Sequence, residues 1–339
     1  MGLKTGVLLI NLGTPDSPSV PDVRKYLREF LWDERVIDIP AIPRWLLVNG
    51  IIAPFRAPKS AKIYKELWTD QGSPLKIFGL SNENALQAKL GEDYLVKLAM
   101  RYQNPSIQSK LDEFQKSGIK ELIVIPLFPH YASASTGSVY QKVMEIISKW
   151  LVIPELKIAN HFYEYPKFID GFVANAKKHM AKYDYQHFLF SYHGIPERQI
   201  TKGDCHDVCK FGTCCNSITE KNQHCYRAQC FETTRLFVKA LGLKEGTYTT
   251  SFQSRLGKTP WIKPYSDDVI KEFNQKGIKS VLAFSPAFVS DCLETTIEVG
   301  EEYKEIFIKN GGEKWDLVAS LNDSENWVSL LEELVLENI

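Results

Sequence analysis

An α/β fold of two similar domains, each built on a parallel sheet and facing a cleft between them, is what this sequence predicts. Three observations carry the expectation. Short apolar runs end in turn residues, as buried parallel strands do. Amphipathic helical patterns lie between those runs. One stretch of the first half also recurs in the second. A chain of 339 residues exceeds what one small core organises, which favours the same division.

The strand-like runs fall at 6–11, 94–100, 121–126, 157–161, 187–192, 248–252 and 280–284. Helical patterns separate them, for example at 21–30, 82–90 and 106–116. The repeat pairs LDEFQKSGIKELIVIPLF (111–128) with IKEFNQKGIKSVLAFSPAF (270–288). Glu113, Phe114, Gly118, Ile119 and Lys120 match Glu272, Phe273, Gly277, Ile278 and Lys279 at one offset. A weaker echo links LINLGTP (9–15) with FSYHGIP (190–196). In each half a first strand thus ends in a Gly…Pro loop. Ligands of open α/β sheets bind outside the carboxyl ends of strands. The expected cleft therefore draws on 11–15, 126–138, 193–196 and 286–298. The expected domains are 1–155 and 156–339, and the helical patterns after Trp315 are candidates for crossing back over the first.

Lys plus Arg equals Asp plus Glu at 41 each, and no polybasic tract occurs, so no nucleic-acid partner is expected. No charged leader with a cleavage site precedes the first strand. The longest apolar run, WLLVNGIIAPF at 45–55, falls short of the roughly 18 residues of a membrane span. A cytoplasmic protein is the expectation. Six of the seven cysteines lie between Cys205 and Cys230. In that compartment such crowding reads as metal-binding or catalytic before it reads as disulfides.

Three sets of residues could carry chemistry. His193 ends an apolar strand and precedes Gly-Ile-Pro, where a histidine can move a proton near neutral pH or bind a metal; the plain alternative is a packing histidine. The run DCLETTIEVGEE (291–302), if α-helical, puts Asp291, Glu294, Glu298, Glu301 and Glu305 on one stripe. Such a stripe suits hard cations or proton passage, and the plain alternative is a solvated acidic face. Arg101 with Tyr102, and Trp261 after the run Ser251–Arg255, could meet substrate carboxylates and a flat apolar ligand. Each also reads as an ordinary ion pair or core residue.

LINLGTP (9–15), MRYQNPS (100–106), PLFPHYASASTGS (126–138), SYHGIPER (191–198), TSFQSRLGKTPWIKPY (250–265) and FSPAFVSDCLETTIEVGEEY (284–303) stand in an order and spacing that resemble the ferrochelatases. Those enzymes insert Fe²⁺ into protoporphyrin IX to make protohaem, the terminal step of haem biosynthesis, with release of two protons. The resemblance implies two Rossmann-like domains of the chelatase kind. It implies His193 and Glu294 as the catalytic pair facing the substrate Fe²⁺, and Asp291, Glu298 and Glu302 as a proton or metal path. It implies porphyrin binding by Arg101, Tyr102, Ser133, Ser135, Thr136, Gly137, Ser138 and Trp261. Residues 30–55 resemble the apolar lip that in relatives can touch the membrane, so peripheral contact with its inner face is an expectation. Cys292 stands where some relatives carry His, and His130 where a Gln is common. Rival readings are a chelatase for another metal or tetrapyrrole and a non-catalytic tetrapyrrole- or metal-binding protein.

Within 203–230 the chain carries CHDVCKFGTCCNSITEKNQHC, where many ferrochelatases have only a few residues. It resembles the cysteine motif of a bacterial subset that binds a [2Fe–2S] cluster. Four thiolates suit that cluster or Zn²⁺, and the spacing alone does not choose. The expected ligands are Cys209, Cys214, Cys215 and Cys225, with Cys205 and Cys230 as alternates. Iron insertion needs no redox change, so a structural or sensing role is expected.

Overall fold

The computed structural model describes residues 3–255, 257 and 259–338. Among the described residues eight strands form two four-stranded sheets, with every strand pairing parallel. The first orders β1 (Thr5–Gly13), β2 (Tyr94–Tyr102), β3 (Glu121–Pro126) and β4 (Glu155–Ile158) as β2-β1-β3-β4. The second orders β5 (His187–His193), β6 (Tyr248–Gln253), β7 (Ser280–Phe284) and β8 (Lys314–Leu317) as β6-β5-β7-β8. The two sheets thus share one topology, the α/β architecture that the repeat implies.

Two strands differ from expectation, both at sheet edges. The run expected at 157–161 starts earlier, at Glu155, and its ladder with β3 ends at the Val124–Ile158 pair. β8 was not expected. Its four residues alternate Lys-Trp-Asp-Leu, a half-exposed edge pattern too short to register, and only Trp315 is fully buried. The helix expected at 82–90 begins earlier, at Pro74, where a proline suits the first turn.

The chain packs as two units. One comprises the residues up to Phe128, Ala132–Asn160 and those from Val328 on; the other comprises Pro129–Tyr131 and His161–Trp327. In the first, Leu8, Ile10, Leu122 and Val124 of the sheet pack with Leu111 and Phe114 of the helix Ile107–Ser117 and with Val139, Val143 and Ile147 of the helix Ser138–Ile147. In the second, Leu189, Val281 and Ala283 pack with Val269, Ile270 and Phe273 of the helix Ser266–Gln275 and with Tyr303 and Phe307 of the helix Tyr303–Lys309. Each repeated helix closes at a left-handed glycine, Gly118 (φ 60°) and Gly277 (φ 74°), which needs no β-carbon.

The loops after β3 and β7 each enter a π-helical segment, Ser133–Gly137 and Leu293–Glu302. A third, Leu46–Ile52, lies inside the helical run from Ala41 to Leu67. That run buries Val48, Ala53 and Ala57 and exposes Ile42, Trp45, Leu46, Ile51 and Phe55. Among the described residues no helix is long and apolar enough to cross a membrane.

Candidate active site

His193 is the last residue of β5 and pairs in register with Gln253 of β6. The strand delivers its half-buried imidazole to the carboxyl end of the sheet. The peptide that follows is held on both sides. The Gly194 N–H donates to the Gln253 carbonyl at 2.8 Å, and the Tyr226 hydroxyl donates to the His193 carbonyl at 2.7 Å. Glycine is required at 194, because a β-carbon there would lie 2.6 Å from the Gln253 carbonyl oxygen and 3.2 Å from the Trp261 ring. Trp261 therefore packs directly beside the loop that follows His193. Phe288 meets the imidazole edge-on at 6.2 Å. The His193 Nδ1 is shielded and has no hydrogen-bond partner among the described residues. Burial pushes the imidazole below its usual pKa, and the charge of Glu294 opposes that shift.

Glu294 and Glu298 sit on the π-helical segment after β7, which Cys292 and Thr295 start with reciprocal hydrogen bonds. The wider i→i+5 turn replaces the α-helical stripe that spacing suggested. Glu294 and Glu298 are half-buried, whereas Glu301, Glu302 and Glu305 are exposed. Glu298 is the best-anchored carboxylate. Its Oε2 accepts from Gln253 Nε2 at 3.0 Å and Ser254 Oγ at 2.6 Å, and its Oε1 accepts from Tyr303 at 3.2 Å. Gln253 Nε2 also donates to the Glu294 carbonyl at 3.0 Å, and its Oε1 accepts from Ser191 at 2.8 Å. Asp291 is bound elsewhere: its carboxylate accepts from the Ser320 amide at 3.1 Å and from Asn322 Nδ2 at 2.8 Å.

In the first unit, Arg101, Tyr102 and Ser138 converge on Asp33, a residue that sequence reading missed. Arg101 pairs with Asp33 at 2.6 Å and also donates to Ser138 Oγ at 2.6 Å. The Tyr102 hydroxyl donates to the same Asp33 oxygen at 2.9 Å. Tyr102 is fully buried, and burial together with the Asp33 charge pushes its phenol far above the usual value. No signal in the sequence links Asp33 to partners 68, 69 and 105 positions away; only the fold brings them together. Ser133 accepts from Arg35 at 2.9 Å, Ser135 Oγ lies 3.5 Å from the Ala132 carbonyl, and Thr136 is buried with its hydroxyl unpartnered.

The ferrochelatase family model matches residues 4–339. The chain belongs to the ferrochelatase family. A ferrochelatase of Legionella pneumophila (strain Paris) is 46% identical over 337 residues, spanning 99% of this chain and 100% of the relative. One from Coxiella burnetii (strain Dugway 5J108-111) is 42% identical over 337 residues, spanning 99% and 94%. Among solved structures, SirB from Bacillus subtilis with Fe³⁺ superposes with a TM-score of 0.52 over 99% of this chain and 96% of that one, at 11% identity. The sirohydrochlorin chelatase SirB from Bacillus subtilis subspecies spizizenii, in complex with cobalt, gives 0.51 over 99% and 94%, at 8% identity. At such identities the likeness is one of fold, and that fold is the two-sheet α/β architecture described above. As a member of the family the chain is an enzyme, a ferro-lyase that inserts Fe²⁺ into protoporphyrin in haem synthesis.

The cysteine segment runs from Cys205 to Cys225 between the helices Glu197–Gly203 and Tyr226–Leu241. None of its cysteines is in a disulfide. Cys214 Sγ and Cys215 Sγ lie 3.8 Å apart. Burial and the neighbouring Cys214 push Cys209 up to about 11. The interaction of Cys215 with Cys225 raises Cys215 and lowers Cys225, and the Ala228 and Arg227 amides at a helix start lower Cys225 further. Cys209, Cys214, Cys215 and Cys225 are thus linked as neighbours. Cys205 is exposed, and Cys230 is fully buried inside the helix Tyr226–Leu241. Among the described residues, no group of three or more His, Cys, Asp or Glu is drawn in closely enough to hold a metal ion as it stands.

Proposed function

We propose that the second unit carries the proton and metal chemistry of iron insertion, with His193 as the base and Glu294 as its acidic partner. One observation supports this above the others. A strand end presents an imidazole whose pKa burial holds below the usual value, with the Glu294 charge facing it. A neutral imidazole has a lone pair to accept a pyrrole proton, and the carboxylate stabilises the imidazolium that results. The half-buried Glu298, held by Gln253, Ser254 and Tyr303, and the exposed Glu302 continue a line of carboxylates toward solvent. That order suits a route for protons leaving or Fe²⁺ arriving. Trp261, packed beside Gly194, is in place to meet a flat apolar ring. In the first unit both Arg101 and Tyr102 bond Asp33, but Arg101 is partly exposed and Tyr102 fully buried, so Arg101 is the better of the two for a porphyrin carboxylate and Tyr102 supports it. The substrate of this reading is protoporphyrin IX.

The cysteine segment has the donor set of a four-thiolate group, and Cys209, Cys214, Cys215 and Cys225 would hold it once drawn together. These thiols already neighbour one another in pairs. Bound there as a [2Fe–2S] cluster, the group would supply a rigid crosslink and a redox- or iron-sensitive reporter. The exposed Trp45, Leu46, Ile51 and Phe55 form an apolar surface suited to peripheral contact with a membrane.

The test is anaerobic incubation with Fe²⁺ and protoporphyrin IX, following the haem spectrum beside His193→Ala. Haem from the wild type alone is the expected result, with porphyrin binding kept by the variant. Normal turnover by His193→Ala would refute the assignment. Purified protein should absorb in the visible and contain iron with sulfide; a colourless protein holding one zinc would overturn the cluster.

A further inference from the structure

We infer that Tyr226 is a positioning residue for His193, and that through it the cysteine segment sets the place of the reacting imidazole. The inference rests on the role of His193 proposed above. It stands on geometry in the second unit, whatever group the thiols hold.

The segment rejoins the fold at Cys225, the N-cap of the helix Tyr226–Leu241. The very next residue, Tyr226, is buried and donates its hydroxyl to the His193 carbonyl at 2.7 Å. One covalent step therefore separates a candidate thiolate ligand from the side chain that pins the reactive strand end. Further along the same helix, Thr234 bonds the Tyr192 hydroxyl at 3.0 Å, so two successive residues of β5 are tied to it. The helix also grips the segment from its other side. Gln229 Nε2 donates to the Gln223 carbonyl at 2.7 Å, and Arg235 donates to the Cys215 carbonyl at 3.0 Å. Gln229 Oε1 accepts from the Tyr131 amide at 2.7 Å, and Thr233 bonds His130 at 2.9 Å. Cysteine segment, helix and strand end thus form one hydrogen-bonded body. Drawing the thiols onto a metal group, or releasing them, moves Cys225, and Tyr226 passes that movement to His193. A shift of the base relative to a fixed macrocycle acts on turnover and not on porphyrin affinity.

The experiment compares wild type with Tyr226→Phe, which keeps the ring and removes the hydroxyl. Each protein is measured loaded and stripped, with its metal content determined; loading uses Fe²⁺ and sulfide, or Zn²⁺ if zinc is what the wild type holds. The readouts are kcat and porphyrin KM, and the His193 ring signals of ¹⁵N-histidine-labelled protein. Tyr226→Phe should lower kcat about tenfold or more with KM little changed. Stripping should move the His193 signals in the wild type and leave them nearly still in Tyr226→Phe. Wild-type kcat in the variant overturns the proposal, as does an equal displacement of the His193 signals in both proteins. Should the variant fold poorly, the wild type alone decides: His193 signals indifferent to stripping refute the link. Activity retained by His193→Ala would instead remove the catalytic role of His193, while the signal comparison would still report the coupling.

Discussion

The two units share one frame but carry different side chains. Both order their strands alike, close the repeated helix at a left-handed glycine, and follow the third strand with a π-helical segment. Both place a glycine at or just after the end of the first strand, pressed against the neighbouring strand's carbonyl. A β-carbon at Gly13 would lie 2.1 Å from the Tyr102 oxygen, and one at Gly194 lies 2.6 Å from the Gln253 oxygen. Yet all seven histidines and all seven cysteines belong to the second unit. Leu12 stands where His193 stands, and Ser-Ala-Ser-Thr-Gly fills the π-helical segment that carries Glu294 and Glu298 in the second unit. A duplicated backbone supplies equivalent loop positions; a handful of side chains makes the two copies chemically different.

The largest effect should follow from disturbing the reactive loop. Gly194→Ala puts a methyl against backbone and the Trp261 ring, displacing His193. We expect kcat to fall by about a hundredfold, since a base misplaced by about 1 Å costs that much; activity near the wild-type level would show that the loop yields without moving the base. In the first unit the matching vulnerability is structural. Asp33→Asn leaves the mostly buried Arg101 without its counter-charge, at a cost of about 3 kcal/mol, read as a lower denaturation midpoint. A stability change below about 1 kcal/mol would mean that Ser138 suffices for Arg101.

Acid should act on the second unit first. Burial pulls His130 down to about 3 and His187 to about 4, with the nearby His161 and Lys276 adding to the shift respectively. The unfolded chain titrates near 6.5, so between that value and about 4 it binds protons the folded state does not. Stability therefore rises with pH through this window and is lost as pH falls below about 6.5. Segment-resolved hydrogen exchange at pH 5 and pH 7.5 should show protection lost in His161–Trp327 before the histidine-free first unit. Uniform loss would contradict it. The smallest effect belongs to Leu12→His, which copies the histidine without its carboxylates; kcat should stay within about twofold of wild type.

Much of this was legible in advance. Six of the eight strands and the repeat read directly from apolar runs and their offset, because buried parallel strands leave continuous apolar segments. β8 and the start of β4 were not, because edge strands alternate with polar residues and leave no such run. His193 was visible from its place at a strand end. The acidic run was visible too, but as an α-helical stripe. The π-helical turn that separates Glu294 and Glu298 from exposed Glu301 depends on hydrogen bonds that residue spacing does not encode.

What the sequence by itself determined is the duplicated α/β frame, the strand-end histidine and the crowding of thiols in one segment. These are local facts of pattern and composition. Tertiary structure alone decided which groups meet: Asp33 with Arg101 and Tyr102, Gln253 and Ser254 with Glu298, and Tyr226 with the His193 carbonyl. Each joins residues distant in the chain through buried polar groups that must find partners once water is excluded. That requirement acts only after the core has closed, and so it is written in the fold and not in any stretch of residues.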